Sequence, residues 1–356
     1  DALRTQVTKL CKEIDLDQST ALKFLNLLLN ESVKVQSDNK QTHLSVFLKA
    51  KELEEQGKKI IHLEVGEPDF KPPKEVKTAL AEVYDEGYGK YGSPKGIMEL
   101  RTAIGIGIEG HDEGIEDSIM ICPGARFAVY LAITTLLNPG DEIIVIEPSW
   151  PAYKDCALNA GIKVRTIKTT LETKWEPSIE QINNAINQNT KMIILNSPNN
   201  PTGKVLPKKL LDDIIQTAKD HDLYVLSDEI YSEYANNDWQ SVLIYNYEKS
   251  IVTKSFSKSH AMTGYRIGYA IAEPSIIDKM SKLQALSLTN VSEPIQYVAL
   301  QALYADTSKN TEIIKSRLET LVKIAKDIGL EFIEPEGAMY LFAKTKYKNF
   351  DATKFS

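Results

Sequence analysis

The chain has 356 residues, 42% of them hydrophobic and 26% charged, with a formal net charge of −7. That length suits roughly two or three soluble globular domains, and the composition excludes collagen, low-complexity disorder and a coiled-coil rod. The acidic balance disfavours non-specific nucleic-acid binding, and no apolar run reaches the length needed to cross a bilayer.

The N-terminus, DALRTQVTKL, has no apolar signal core. It begins with Asp rather than Met, so further residues are expected before it. Cys11, Cys122 and Cys156 are too few and too scattered for a disulfide framework or a zinc site. They read as reduced thiols in a cytoplasmic protein, and no metal is expected. Residues 1–40 form a first segment. Leu22, Leu25, Leu28 and Leu29 recur at helical spacing, behind Asp17 and Ser19 as possible caps. Six basic and six acidic residues cancel there, so this helical extension is no nucleic-acid arm. SDNK at 37–40 reads as a linker.

From about residue 118, apolar runs of strand length alternate with helical stretches. SIMIC precedes a helix from Ala125 to Leu137, and EIIVIE precedes one near Ala152 to Ala160. KVRTI, KMIIL, LYVLS, SIVTK and RIGYAIA follow, and two short strands around EFIEP and AMYLFAK close the mainly helical last third. The alternation predicts an α/β fold, a mostly parallel sheet with helices on both faces. In such sheets ligands sit beyond the carboxyl ends of the strands.

Four loops after strands carry unusual residues. Pro123-Gly124-Ala125-Arg126 opens a helix, where small residues and the helix dipole admit an anion. By itself this is more often an ordinary tight turn. Asn196 to Gly203, NSPNNPTG, fixes a rigid loop with amides on display. Asp228 ends the very apolar strand LYVLS, where a carboxylate is costly to bury without a cation or donor; a lone Asp there is more often a solvated helix cap. Lys258 sits among small hydroxyl residues, eight positions before Arg266. Most lysines are solvated surface charges, but one in a tight site can form a Schiff base with an aldehyde. The hydroxyls and Arg266 suit a dianionic phosphate. Together these loops ask for a ligand with a phosphate, an aldehyde and a ring nitrogen. Pyridoxal 5′-phosphate has all three.

At this point the sequence resembles the class I aminotransferases, which share the aspartate aminotransferase fold, fold type I. The resemblance runs from about Thr42 to Ser356. GEPDF at 66–70, YGSPKGIMELR at 91–101, NPGDEI at 138–143, EPSWPAY at 147–153, SPNNPTG at 197–203, SDEIY at 227–231 and SKSHAMTGYRIGY at 257–269 occur in family order. It implies a large cofactor-binding domain at 71–291 and a smaller α+β domain at 41–70 with 292–356. It further implies that Lys258 bonds the cofactor aldehyde and later moves the substrate proton. Asp228 would keep the ring nitrogen protonated, while Tyr231 and Asn200 donate to the ring's phenolic oxygen. Trp150 would stack on the ring. Gly124, Ala125, Ser255, Ser257 and Arg266 would hold the phosphate, with Arg126 beside them. In some relatives a lysine at the place of Arg126 meets a distal substrate carboxylate, although His43 falls near where they carry a hydroxyl residue. Tyr91 would reach the phosphate of a neighbouring subunit, implying a homodimer with shared sites. Gly66, Asn200 and Trp150 would line the substrate.

The implied activity is a ping-pong aminotransferase acting on an L-amino acid and a 2-oxo acid. A carbon–sulfur lyase or related synthase on the same fold is the alternative; a cofactor-binding regulatory module is a weaker one. The sequence departs from the family by lacking a counterpart of its G-x-x-x-R segment, whose arginine binds the substrate α-carboxylate. The protein is therefore expected to continue past Ser356.

Overall fold

The computed structural model describes residues 43–62, 65–108, 114–236 and 238–344. The chain divides into two compact units, residues 1–65 with 351–356, and residues 66–350. In the first, a helix spans His43–Glu55. Lys49 pairs with Glu52 and Lys51 with Glu54 along its exposed side, pairs of the kind that add a few tenths of a kcal/mol to a helix. The leucine repeat at 22–29, its caps and the linker at 37–40 lie outside the described residues.

The second unit is built on a seven-stranded sheet. Its strands are β1 (Ile119–Cys122), β2 (Glu142–Glu147), β3 (Lys163–Lys168), β4 (Thr190–Asn196), β5 (Tyr224–Asp228), β6 (Ser250–Ser255) and β7 (Gly268–Ala272), in the order β1-β7-β6-β5-β4-β2-β3. Successive side chains of a strand face opposite sides, and both sides are covered. Ile144, Ile193, Leu195, Val225 and Val252 point to one core, closed by Leu211, Ile214 and Ala218 of the helix Lys208–Asp220. Ile143, Val145, Met192, Ile194 and Leu226 point to the other, closed by Ala128, Leu131 and Ala132 of the helix Ala125–Leu136. Two buried faces explain why these strands read as continuous apolar runs. Each fully buried Ile or Leu contributes on the order of 2 kcal/mol. Two short strands, β8 (Glu331–Phe332) and β9 (Ala343–Lys344), pair antiparallel. Among the described residues, no helix is long and apolar enough to cross a membrane.

The sheet is parallel from β2 to β6, while β7 runs antiparallel to both β1 and β6. Residues 256–267 between β6 and β7 hold no α-helix that could carry a parallel crossover. This reversal matters for the site. The last residues of β1, β4, β5 and β6 lie along one edge, as Asn196 pairs with Asp228 and Ser255 with Gly268. Cys122 also pairs with Gly268, the first residue of β7. The reversed strand therefore begins at the edge where its neighbours end, and it brings Arg266 there.

Candidate active site

The loops leaving that edge converge. After β1, Gly124 takes φ +83°, a left-handed conformation natural to glycine, and starts the helix Ala125–Leu136. A side chain at Gly124 would press on the Arg266 guanidinium, 2.7 Å from its Nη2. Arg266 itself is held by two carbonyls: Nη1 donates to Thr263 O at 2.7 Å and Nη2 to Pro123 O at 3.0 Å. Gly268 lies against the same turn, where a Cβ would fall 2.7 Å from Lys254 O and 3.0 Å from Ala125 N. The Ser257 backbone N–H donates to Ser255 Oγ at 3.1 Å, and the two hydroxyls stand 2.8 Å apart. Free helix N–H groups, two hydroxyls and a guanidinium form a cup for a dianion.

Beside the cup, Asp228 is 3% exposed. Its Oδ2 accepts from Tyr153 OH at 2.7 Å and its Oδ1 from Thr253 Oγ1 at 3.2 Å. Burial pushes its carboxyl above the usual range; the Tyr153 and Thr253 hydroxyls, the Ile230 amide and the charge of Lys258 pull the other way. Its side-chain donors are neutral hydroxyls, so the carboxylate can still take a cation. It is no solvated cap. Asn196 braces the strand end, donating to Asp228 O at 2.8 Å while accepting from Asn200 N at 2.7 Å.

Lys258 stands in the turn after β6. Its Nζ donates to Gly66 O and lies 6.0 Å from the centre of the Tyr231 ring. Burial pulls its pKa down to about 8; Glu67 and Asp228 oppose the shift and Arg266 adds to it. Such an amine is roughly one-tenth neutral at pH 7 and half neutral near pH 8, far more than a solvated lysine, as a nucleophile or base requires. The turn is anchored by other groups: Tyr234 OH donates to Lys258 O at 2.8 Å, and Asn310 Nδ2 to Ser259 O at 3.2 Å.

Opposite Lys258, Asn200 Nδ2 lies 3.5 Å from Tyr231 OH. Trp150 meets Tyr153 edge-on at 5.3 Å, and the Arg126 guanidinium lies 4.6 Å from the centre of the Trp150 ring. Gly66 and Asn200 thus join Lys258, Asp228 and Tyr231 in one cluster. Tyr91 is not in it. The backbone of its loop is tied down, with Gly89 and Lys90 donating to Glu293 and Gly92 to Asn290, and its ring is 89% exposed.

Two tyrosines join the cluster that the sequence reading did not assign. Tyr153 is 1% exposed and touches Asp228. Its place at the end of EPSWPAY was its one signal. Tyr340 OH is 2.5 Å from Tyr231 OH, 109 positions away in the chain, and no local pattern foretells such a pair.

This cluster has an anion cup, a buried carboxylate with neutral donors and a desolvated lysine. Those groups fit the phosphate, ring nitrogen and aldehyde of pyridoxal 5′-phosphate.

Residues 58–356 match the model of the family "Aminotransferase class I and II". The chain is 36% identical over 303 residues to the aspartate aminotransferase of Thermotoga maritima, covering 84% of this chain and 80% of that protein. It is 34% identical over 317 residues to the asparagine–oxo-acid transaminase of Streptococcus mutans, covering 85% and 80%. The crystal structure of the Thermotoga maritima enzyme superposes with a TM-score of 0.84 at 34% identity, over 90% of this chain and 86% of that one.

Proposed function

This chain belongs to the class I and II aminotransferases, and from that premise we propose that aspartate is its amino donor and that the residues of the sheet edge divide the work as follows. As a pyridoxal 5′-phosphate-dependent enzyme it moves an amino group between an L-amino acid and a 2-oxo acid. The cofactor supplies an aldehyde for an amine to bond and a ring that accepts the electron pair released at the amino acid's α-carbon. Lys258 is the amine that bonds this aldehyde, and once freed its Nζ takes the α-proton. Asp228 holds a proton on the ring nitrogen. Tyr231 and Asn200 donate to the phenolic oxygen. Gly124, Ala125, Ser255, Ser257 and Arg266 bind the phosphate, Trp150 covers the ring, and Gly66 presents its backbone to the substrate carboxylate. The observation that carries this reading is a desolvated lysine and a buried carboxylate on neighbouring strand ends beside an anion cup.

Arg126 supports the choice of donor. It follows the phosphate turn, is exposed, and is held over Trp150, where a distal carboxylate could reach it. The names of the Thermotoga maritima and Streptococcus mutans relatives agree with a four-carbon donor. Amino donors should be compared against 2-oxoglutarate, in the parent and in Arg126→Gln. Aspartate is expected to lead, and Arg126→Gln should cost aspartate and glutamate about tenfold more than alanine. Equal losses for all donors would remove Arg126 from the substrate site. Pyruvate and ammonia formed without an acceptor would favour the lyase.

The lowered pKa of Lys258 gives a second test. Bonding to the aldehyde needs the neutral amine. The rate of cofactor uptake by the cofactor-free protein should rise with pH through about 8 and then level off. A solvated lysine would keep gaining until its ordinary value of 10.5. A rate still climbing at that pH, followed by visible absorbance, would contradict the burial of Lys258.

We also propose a homodimer in which Tyr91 completes the partner's phosphate site. The support is a large, 89% exposed aromatic on a loop tied to Glu293 and Asn290.

A further inference from the structure

Tyr340 reaches the cluster from a segment pinned to it at several points. Lys204 Nζ holds Glu336 Oε1 at 2.9 Å and Glu176 Oε1 at 2.8 Å. The Val205 amide donates to Glu336 Oε2, and the Glu336 amide to Gly203 O, both at 2.9 Å. Gly337 packs so closely that a Cβ there would lie 2.7 Å from Pro198 Cγ. This clamp ties the segment 335–340 to the Asn196–Gly203 loop, which also carries Asn200. Tyr340 then stands edge-on to Tyr231, ring centres 5.6 Å apart at 80°. Its hydroxyl lies 2.5 Å from Tyr231 OH and 3.5 Å from Asn200 Nδ2. Gly66 has no room for a side chain on this side, since a Cβ would fall 2.4 Å from Tyr340 OH.

A hydroxyl that accepts a hydrogen bond becomes a stronger donor through its own hydrogen. Tyr231 has two neighbours able to tune it, Asn200 and Tyr340, but only Tyr340 touches its oxygen at short distance. We propose that Tyr340 is a positioning residue for the reaction: its hydroxyl donates to Tyr231 and so strengthens the bond Tyr231 gives to the cofactor's phenolic oxygen. A better-satisfied phenolic oxygen holds the neighbouring proton on Lys258 Nζ less firmly. Tyr340 thereby lowers the pH at which that proton leaves in the holoenzyme. The proposal rests on the roles assigned above to Tyr231 and Lys258. The charged groups that face Lys258 are Glu67, Asp228 and Arg266; Asp228 and Asn200 also act on Tyr231. Loss of the Tyr340 hydroxyl leaves all of them in place.

The test is the pH titration of the visible absorbance of the holoenzyme. In Tyr340→Phe the midpoint should rise by roughly half a pH unit, the scale of one modest hydrogen bond. Tyr340→Leu, which also lacks the hydroxyl, must move it in the same direction. Tyr231→Phe should raise it further. Tyr231→Phe combined with Tyr340→Phe should titrate where Tyr231→Phe alone does, because the relay runs through Tyr231. A Tyr340→Phe midpoint at the parent value overturns the proposal, and so does a full Tyr340 effect persisting without the Tyr231 hydroxyl. A parent holoenzyme whose visible band does not depend on Lys258 would overturn the underlying assignment of Lys258, and this proposal with it.

Discussion

Replacing Lys258 with alanine is expected to lower turnover by about four orders of magnitude while the fold stays intact, since the variant loses its general base. It also loses the amine that bonds the cofactor. Removing Nζ breaks one polar contact, the bond to Gly66 O. It also removes a desolvated charge, which by itself does not favour folding. The turn keeps its Tyr234 and Asn310 anchors, so circular dichroism and the melting temperature of the cofactor-free protein should change little. Borohydride treatment of the parent holoenzyme should fix the cofactor's mass on the peptide containing Lys258, and on no peptide of the variant. Unchanged transaminase activity in the variant would sink the assignment. The same variant tests the homodimer. Unfolded and refolded together with Tyr91→Phe, it should give hybrids with one doubly damaged site and one intact site. Random pairing puts roughly a quarter of all sites in the intact class, so activity should exceed that of either variant alone. A mixture no better than the sum of its parts would argue that each subunit works with its own Tyr91.

How much of this was legible in the sequence follows from the range over which each feature is encoded. The strands that end at the site are short runs such as EIIVIE and LYVLS, and their apolar continuity reports two covered faces. The loops at their ends were legible because Gly, Pro, Asn and a misplaced charge stand out against such runs. The antiparallel sense of β7 is not encoded in its apolar run. Its cue was the lack of a helix between β6 and β7, which a reading of strands alone passes over. The consequence is chemical, because the reversal is what delivers Arg266 to the edge shared with Gly124. Tyr153 and Tyr340 escaped for another reason. Each acts through a hydroxyl that meets a residue 75 or 109 positions away, and an aromatic residue in an apolar stretch reads first as core. Arg126 was legible as a cation near the phosphate turn, but its contact with the face of Trp150 needed coordinates.

Asp228→Asn should be the second most damaging change at the site, and it separates charge from shape. The amide has the size of the carboxylate, and it can keep both side-chain neighbours. One position still accepts from a hydroxyl, and the Tyr153 oxygen can accept from the new NH₂ group. What disappears is the negative charge. Two unit charges about 4 Å apart at an effective dielectric of about 20 attract by about 4 kcal/mol. At about 1.4 kcal/mol per factor of ten, removing that attraction costs turnover about a thousandfold if the proton on the ring nitrogen is needed throughout. Cofactor affinity should weaken in parallel, read by absorbance titration of the cofactor-free protein. Burial alone raises the carboxyl pKa of Asp228 in the cofactor-free protein, and a bound ring cation should bring it down again. Tyr153→Phe keeps the charge and removes one donor, so its loss should be far smaller, about tenfold. A loss in Asp228→Asn no larger than that of Tyr153→Phe would show that the buried carboxylate serves the sheet edge and not the ring nitrogen.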